Sequence, residues 1–375
     1  MRIAINTRFL LSDKMEGFGW FTYEVVKRIS EQHPEHTFLF FFDRKYDPNF
    51  IFSSNVKPIV ISPPARHPFL FLIWFNIGVS MALRKHKADL FFSPDGYLSL
   101  TTSVPQIPVI HDLNFEYYPE DLPLLTRLYY RYFFPRFAEK AVQIITVSNY
   151  SKQDIHLKYG IPSEKITVSW NGASEAYMPL SMNEIEEIRN KYTKGKPYFL
   201  FVGSLHPRKN LNRLLEAYLQ FKTEMPSNDY ELIITGKSMW KKMGLDDSIS
   251  SNPQIHFTGH LPQKELIRVM GAAAIFVYVP YFEGFGIPIV EAMRCGIPVI
   301  SGNKTSLPEV AGDAALYADP FSVTSIVEAM KKLVTNPTLY HVLKTKGKER
   351  SEVFSWDKTA EICWNVIEKC LNEKH

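Results

Sequence analysis

Strand-like and helix-like segments alternate along this chain, and the alternation occurs twice. The first series runs from a strand-like segment at 2–7 to another at 165–169, and the second begins at the apolar segment 198–203. Short apolar runs rich in β-branched and aromatic residues predict buried strands, and the amphipathic segments between them predict crossover helices. The chain is therefore predicted to be an α/β protein with two parallel-sheet domains.

A polar segment separates the two series. We expect an N-terminal domain over 1–172, a linker over 173–196 and a C-terminal domain over 197–354, with a tail beyond residue 322 that is wholly helical. The 375 residues of the chain are enough for two cores. The predicted strands are 2–7, 37–42, 57–61, 89–92, 107–111, 142–147, 165–169, 198–203, 230–236, 254–259, 274–279 and 297–301, and the predicted helices are 19–32, 69–86, 122–139, 149–158, 209–222, 262–271 and 287–294.

Composition excludes several classes of protein. A net charge of +4 is small for this length, so we expect no nucleic-acid partner. The cysteines Cys295, Cys363 and Cys370 form no C-x-x-C pair, which argues against a disulfide framework or a zinc site. The chain begins with a strand-like run, and its longest apolar stretch, 69–83, is too short to span a bilayer. We therefore expect a cytoplasmic protein.

Two acidic residues flank a glycine-rich turn in the second half. Glu283 and Glu291 are separated by seven residues, after an apolar strand at 274–280 and around the start of a helix at 288–293. A strand, a glycine-rich turn and a helix N-terminus form an anion site, because unpaired N–H groups point at the turn. Carboxylates would repel phosphate but accept hydrogen bonds from hydroxyl groups. Phosphate together with many hydroxyls describes a nucleotide sugar.

A second motif places two cations after a strand. Gly203 ends the strand, and Arg208 and Lys209 stand at the head of the predicted helix. Cations are unfavourable at a helix N-terminus, so this placement favours a bound anion over a solvated pair. Arg208 as a planar fork and Lys209 as a point charge could neutralise a pyrophosphate without a metal ion.

The first half carries weaker signals. Gly17 and Gly19 form a Gly-x-Gly motif that fits a phosphate-facing loop and a flexible loop entering a helix equally well. His111 lies at a strand end and is either a ligand-facing residue or a packed histidine. Asp112 could simply cap the following turn.

Taken together, these motifs resemble the retaining glycosyltransferases of family 4, in particular mannosyltransferase-like members. The resemblance implies the GT-B architecture, with two facing Rossmann-like domains, a donor cleft between them and a C-terminal helix, about 355–375, that crosses back to the N-terminal domain. The matching segments cover nearly the whole chain and are 17–19, 110–112, 146–151, 202–210, 283–291 and 305–313.

The resemblance also implies roles for individual residues. Glu291 would hold the ribose hydroxyls, Glu283 would contact the hexose, and His111 would reach the donor sugar. Arg208 and Lys209 would stabilise the departing diphosphate, so that no metal or other cofactor is needed. The remaining donor-binding residues implied are Gly17, Gly19, Gly203, Gly259, Leu261, Gly284, Phe285, Gly286 and Ile287. In one departure from the pattern, Ser204 follows Gly203 where many members carry arginine.

The function that this resemblance implies is metal-independent, retaining transfer of a hexose from a nucleotide sugar to a glycan or lipid-linked saccharide in cell-surface polysaccharide synthesis. GDP-mannose is the favoured donor, and UDP-hexoses stay open. A nucleotide-sugar epimerase of the same architecture and a catalytically inactive nucleotide-sugar-binding subunit are the alternatives.

Two aromatic and aliphatic segments, 69–87 and 124–140, carry interleaved arginine and lysine residues. Such helices could lie on an anionic membrane surface at the inner face of the cell membrane and meet a lipid-linked acceptor. Ordinary core packing with a basic solvent face is the alternative.

Overall fold

A computed structural model describes residues 1–12, 15, 17–204, 206–236 and 252–373. The chain forms two compact units, one of Met1–Gly172 with the C-terminal residues from Trp356, and the other of Ala173–Ser355. Each unit contains a parallel sheet with helices in the connections between its strands. The predicted α/β class is confirmed.

The first unit is built on a seven-stranded sheet in the order β3-β2-β1-β4-β5-β6-β7 within the described residues. Its strands are hydrogen-bonded in parallel. The side chains of the five central strands are almost all buried, which explains why these strands read as continuous apolar runs, whereas the two edge strands are partly exposed. The strands are β1 Arg2–Asn6, β2 Thr37–Phe42, β3 Val56–Val60, β4 Leu90–Ser93, β5 Gln106–Ile110, β6 Ile144–Thr146 and β7 Ile166–Val168.

Helices surround this sheet, and the C-terminal helix of the chain is one of them. Helix α14, Trp356–Asn372, contacts α1, Gly17–Gln32, within the first unit. Trp364 stacks on His33 with ring centroids 3.6 Å apart. The other helices of this unit are α2 Pro68–Ile73, α3 Ser80–Lys85, α4 Asn114–Tyr117, α5 Leu124–Lys140 and α6 Asn149–Tyr159.

The second unit has a six-stranded sheet in the order β10-β9-β8-β11-β12-β13 within the described part of the chain. Its strands are β8 Tyr198–Val202, β9 Glu231–Thr235, β10 Ile255–Gly259, β11 Ile275–Tyr278, β12 Val299–Gly302 and β13 Ala315–Ala318. Its helices are α7 Met182–Thr193, α8 Leu211–Glu224, α9 Gln263–Gly271, α10 Ile287–Arg294, α11 Leu307–Ala311, α12 Val323–Thr335 and α13 Pro337–Ser351.

The predicted linker over 173–196 is the main correction. This segment belongs to the second unit and contains α7, which contacts α9. A capping box formed by Ser181 and Glu184 begins α7, and Ile188 and Thr193 are its buried residues. Because α7 has so few buried apolar positions, its sequence resembles that of a polar linker.

Two long helical predictions are also interrupted. The helix predicted over 69–86 is divided by a π-helical segment, Trp74–Val79, between α2 and α3. The tail beyond 322 is helical as predicted and is divided into three helices, because Asn336 caps α13 at Pro337 and residues 352–355 separate α13 from α14. Strand β13 precedes the tail and was not predicted.

Candidate active site

Backbone hydrogen bonds of glycine residues connect the carboxyl ends of three neighbouring strands, β8, β9 and β10. The Gly203 N–H donates to the Thr235 carbonyl over 3.0 Å, and the Gly236 N–H donates to the Gly259 carbonyl over 3.0 Å. A Cβ atom at Gly236 would lie 1.9 Å from the Gly203 carbonyl oxygen, so only glycine fits there. Gly203 and Gly259 were predicted site residues, but Gly236 was not, because nothing local in the sequence shows this contact.

The cations follow β8 in a short 3₁₀ turn, Pro207–Lys209, and α8 begins only at Leu211. Asn210 lies between them in the left-handed conformation, with φ +61°. Its side-chain amide donates to the Val279 carbonyl over 2.9 Å and to the Pro320 carbonyl over 2.6 Å. The predicted helix start at 209 is therefore wrong. Since Arg208 and Lys209 precede α8, their position does not by itself indicate a bound anion at the N-terminus of that helix.

Arg208, Lys209 and Glu283 form one buried charged cluster. The Arg208 Nη1 atom lies 3.0 Å from Glu283 Oε2, and Lys209 Nζ pairs with Glu283 Oε1. The Tyr278 hydroxyl donates to the same Oε1 over 2.6 Å and accepts from Lys209 Nζ over 2.6 Å. Glu283 is only 6% exposed. The structure thus brings three of the four predicted catalytic residues together, around a tyrosine that was not among the predicted site residues.

This cluster keeps Glu283 ionised. Burial alone would raise the pKa of Glu283, but the charges of Arg208 and Lys209 outweigh it and hold that pKa at about 2. Two positive charges share one carboxylate, so the three side chains carry a net charge of +1. Such a cluster can attract a further anion while its carboxylate accepts hydrogen bonds from neutral hydroxyl groups.

The glycine-rich turn after Glu283 leads directly into α10. Gly286 has φ +97°, and a Cβ atom there would lie 2.8 Å from Leu307 Cδ2. Pro288 occupies the first turn of α10, where a missing N–H costs nothing. The Phe285 ring is 3% exposed and lies edge-on to Phe354 at 5.5 Å, so this side chain belongs to the core of the unit.

The other predicted positions around this turn are Gly284, which is buried, and Ile287, which begins α10. Helix N-termini present N–H groups without intrahelical acceptors. The predicted contacts of Gly284, Phe285, Gly286 and Ile287 with a donor therefore have to come mainly from the backbone.

Glu291 lies one turn further along α10 and is partly buried. It is hydrogen-bonded to the side chain of Tyr177. Burial raises the pKa of Glu291 to about 7, although the bond with Tyr177 acts in the opposite direction. The two predicted acids therefore differ near neutral pH, because Glu283 is fully ionised and Glu291 is only partly so.

Gly259 and Leu261 flank the turn between β10 and α9, and the family resemblance implies that the nucleobase of the donor lies near them. Gly259 has φ +71°, a conformation that favours glycine. Leu261 is partly exposed. Their proposed contact with a base stays a prediction.

In the first unit, His111 follows β5 and is partly buried. Its Nε2 atom lies 2.8 Å from the Pro94 carbonyl oxygen, and the rings of Phe18 and Phe21 lie 4.8 and 4.9 Å away. A carbonyl can only accept, so Nε2 carries the proton. Burial lowers the pKa of His111 and favours the neutral ring, whose Nδ1 atom is then an acceptor. His111 is therefore held by packing and still offers one acceptor atom.

Asp112 caps the following turn, as the simpler interpretation predicted, because its Oδ1 accepts from the Asn114 N–H over 3.1 Å. Gly17 and Gly19 are the first residues of α1 and do not precede it. A Cβ atom at Gly19 would lie 2.8 Å from the Phe9 carbonyl oxygen, whereas nothing lies within 4 Å of one at Gly17. Packing within the unit already explains Gly19, and the contacts of both glycines with phosphate stay a prediction.

Sequence comparison identifies the family. The chain matches the glycosyltransferase family 4 model over residues 15–176 and the glycosyl transferases group 1 model over residues 184–350. It is 32% identical over 282 residues to O-antigen chain mannosyltransferase B of Escherichia coli, covering 74% of this chain and 73% of that protein. It is also 29% identical over 240 residues to the serotype-specific mannosyltransferase WbdA of Escherichia coli, but this match covers 62% of the chain and only 29% of WbdA.

Comparison with solved structures identifies the fold. The crystal structure of WaaG, a glycosyltransferase involved in lipopolysaccharide biosynthesis, matches with a TM-score of 0.78 over 97% of this chain and 99% of WaaG. The two chains are 17% identical, so this likeness bears on the fold alone. The matches to both family models and to a relative of 32% identity show that the chain belongs to family 4 of the glycosyltransferases, and its fold agrees with that assignment.

Proposed function

We propose that the protein transfers a hexose, with retention at the anomeric carbon and without a metal ion, from a nucleotide sugar to a saccharide or lipid-linked saccharide. GDP-mannose is the favoured donor and cell-surface polysaccharide synthesis the favoured setting, because a relative that matches most of the chain is an O-antigen chain mannosyltransferase. The observation that carries the proposal is the cluster of Arg208, Lys209 and Glu283 beside the glycine-rich turn and the start of α10.

In this reaction the bond between the anomeric carbon and the donor phosphate oxygen breaks, and a bond to the acceptor oxygen forms on the same face. The acceptor hydroxyl gives its proton to an oxygen of the departing diphosphate. Negative charge grows on that diphosphate in the transition state, where Arg208 and Lys209 stabilise it. Glu283 holds both cations in place and accepts hydrogen bonds from the hexose hydroxyls, while Glu291 accepts those of the ribose.

The first test is a thermal-shift series with GDP, UDP, ADP and their hexose conjugates, in EDTA and again with added magnesium. A ligand that binds only the folded state at 100 times its Kd stabilises that state by about 2.7 kcal/mol. We expect a shift with one nucleotide series, favoured to be GDP, that is unchanged by EDTA. A shift that appears only with magnesium would contradict metal independence.

Incubation of the protein with the same nucleotide sugars distinguishes glycosyl transfer from epimerisation. Each conjugate is incubated with and without mannose-terminated oligosaccharides, and the products are followed by mass spectrometry and NMR. Glycosyl transfer predicts a product whose formation requires the acceptor. An epimerised nucleotide sugar formed without acceptor would favour the epimerase, and nucleotide binding with no reaction would favour the inactive subunit.

The raised pKa of Glu291 predicts pH-dependent donor binding. If the ionised carboxylate holds the ribose hydroxyls, the affinity for a nucleotide sugar should rise by about tenfold between pH 6 and pH 8. Titration calorimetry across this range measures the change. Glu291→Gln should bind more weakly at pH 8 and lose the pH dependence, whereas an unchanged dependence in this variant would contradict the assignment.

The contribution of Glu291 to stability should change with pH in the opposite direction to its contribution to donor binding. Its folded-state pKa of about 7 exceeds the ordinary value of 4.5, so the folded protein holds this proton more tightly than the unfolded chain. Its contribution to the free energy of unfolding should therefore fall as pH rises from 4.5 to 7. Comparing the pH profiles of Tm for the wild type and Glu291→Gln isolates this contribution, and identical profiles would contradict it.

We also propose that the first unit binds an anionic membrane surface through α2, α3 and α5. No helix of the described residues is both long and apolar enough to cross a bilayer. However, Phe69, Leu124, Leu125 and Leu128 are 55–64% exposed, and α2 contacts α5. Exposed basic side chains on or next to α3 and α5 accompany them and would attract anionic headgroups, namely Arg84, Lys85, Lys87, Arg131 and Arg136.

Flotation with anionic and neutral vesicles tests this surface. The double variant Leu125→Glu/Leu128→Glu should lose most of the binding to anionic vesicles, because it removes apolar area and adds negative charge. Leu157→Glu is the matched control, since Leu157 is 70% exposed on α6 of the same unit. Absence of wild-type binding, or equal loss in the control, would contradict the proposal.

A further inference from the structure

The segment after β12 contains a threonine in an unfavourable backbone conformation. Thr305 has φ +57°, in the left-handed region. The other described non-glycine residues with positive φ are Lys87, Lys194 and Asn210, and none of these is β-branched. A β-branched residue is rare in this region, because its side chain crowds the backbone. Such a conformation persists only where its surroundings determine it, and it is commonest at functional sites.

The side chain of Thr305 contacts the backbone of Glu283. The Glu283 N–H donates to Thr305 Oγ1 over 3.2 Å, and the same hydroxyl donates to the Lys304 carbonyl over 2.8 Å. The bond to Lys304 directs the hydroxyl proton away from Glu283, which leaves a lone pair for the Glu283 N–H. The unusual conformation of Thr305 thus places an acceptor at the start of the glycine-rich turn.

The next residue holds the other backbone group of Glu283. Ser306 is fully buried, and its hydroxyl donates to the Glu283 carbonyl over 2.9 Å. Leu307 follows and occupies the space that a side chain at Gly286 would need. Three consecutive residues, Thr305, Ser306 and Leu307, therefore define the path of the turn from Glu283 to Gly286.

We propose that Thr305 and Ser306 are positioning residues for sugar transfer, which set the orientation of the Glu283 carboxylate through its backbone. The proposal rests on the function proposed above. Glu283 binds Arg208 and Lys209 with separate oxygens, so a rotation of its backbone would displace both cations. A displacement of about 1 Å can reduce a rate by about 100-fold even when it arises away from the reacting atoms.

The variants Thr305→Val and Ser306→Ala test this role, because each removes a hydroxyl and little else. We expect kcat for hexosyl transfer to fall by about 10- to 100-fold, with KM for the acceptor changed much less. Thr305→Ser retains the hydroxyl and should recover most of the activity. Thr335→Val is the control, since the exposed Thr335 also donates a hydroxyl hydrogen bond, to the Lys331 carbonyl, within the same unit.

Hydrogen exchange supplies a readout that does not depend on catalysis. The amide of Glu283 should exchange faster in Thr305→Val than in the wild type and recover in Thr305→Ser, because Thr305 Oγ1 accepts its hydrogen bond. Wild-type kcat in both Thr305→Val and Ser306→Ala, or equal loss in Thr305→Ser and Thr305→Val, would overturn the proposal.

The two proposals can fail separately. If the wild-type protein transfers no hexose from any donor, the proposed function fails, and the exchange rate of the Glu283 amide still tests the contact with Thr305. Unchanged exchange in Thr305→Val would then overturn the positioning role as well. If the wild type is active and the variants match it, only the positioning role fails.

Discussion

Replacing Lys209 with glutamine is expected to lower kcat for hexosyl transfer by about 100- to 1000-fold, as the loss of a preoriented charge from a transition state does in other enzymes. Lys209 is 9% exposed and contacts both Glu283 and the Tyr278 hydroxyl, so its ammonium group is already in place before a ligand arrives. Because charge grows on the diphosphate as it departs, kcat should fall more than KM rises.

Steady-state kinetics with the preferred nucleotide sugar measures this effect, and Lys264→Gln serves as the control. Lys264 is an exposed lysine on α9 of the same unit, so the control removes an equal charge outside the cluster. Loss of activity in both variants would point to a general electrostatic effect. Full activity in Lys209→Gln would remove Lys209 from the proposed mechanism.

Because Lys209 and Glu283 form a buried ion pair, we expect stability and activity to respond differently when both residues are replaced. Removing one member of a buried ion pair typically costs about 3–5 kcal/mol, because the other charge stays buried without its partner. Either Lys209→Gln or Glu283→Gln should therefore lower Tm, although Arg208 softens the effect of losing Lys209. The double variant should be more stable than Glu283→Gln alone, because it removes one of the two cations left without the carboxylate, and it should regain none of the activity.

The second large effect is expected from Gly236→Ala. The added Cβ atom would lie 1.9 Å from the Gly203 carbonyl oxygen and 3.0 Å from its carbonyl carbon. Both are backbone atoms, so no side-chain rotation relieves the clash, and the ends of β8 and β9 have to separate. We expect a loss of about 1–3 kcal/mol in the free energy of unfolding, at the upper end for a clash with backbone.

Nucleotide binding should weaken in the same variant, because the displaced backbone leads into the segment that carries Arg208 and Lys209. Thermal unfolding and calorimetric titration measure the two effects. Gly17→Ala is the control for stability, since nothing lies within 4 Å of a Cβ atom at Gly17. An unchanged Tm in Gly236→Ala would show that the strand ends are less closely packed than the structure indicates.

The class of fold was predictable because a parallel sheet is buried on both faces. Strands such as β2, Thr37–Phe42, are then apolar throughout and stand out from the amphipathic helices between them. Helix α7 was missed because two buried positions in twelve residues give little periodicity. Strand β13, Ala315–Ala318, was missed because its sequence, Ala-Leu-Tyr-Ala, is half alanine and has no β-branched residue, and two of its four positions are only partly buried.

The candidate site was predictable to the extent that its chemistry is local in sequence. Glu283 and Glu291 flank one turn, and Arg208 and Lys209 are adjacent, so residue type and spacing singled them out. The partners that hold Glu283 lie outside this turn, with Tyr278 at the end of β11 and Thr305 after β12. Tyr278 and Thr305 act through hydrogen bonds that only the folded chain brings together. Thr305 lies in the segment 305–313 that carries the family resemblance, but its residue type, like that of Tyr278, indicated no role in the site.

The start of α8 differs from the predicted one, and this affects the interpretation of Arg208 and Lys209. The helix-dipole reasoning for Arg208 and Lys209 assumed that α8 starts at residue 209, but Asn210 in the left-handed conformation delays it to Leu211. The two cations do lie together beside Glu283, but they are not part of a helix N-terminus. Their pairing with Glu283 provides the physical basis instead.

Metal-independent hexosyl transfer with retention can be recognised from the anomeric configuration of its product. Wild-type protein is incubated in EDTA with GDP-mannose and a mannose-terminated oligosaccharide, and the new linkage is assigned by NMR. We predict an acceptor-dependent product with the same anomeric configuration as the donor, and almost none with Lys209→Gln. An inverted linkage, or no transfer from any nucleotide sugar until a metal ion is added, would contradict the account.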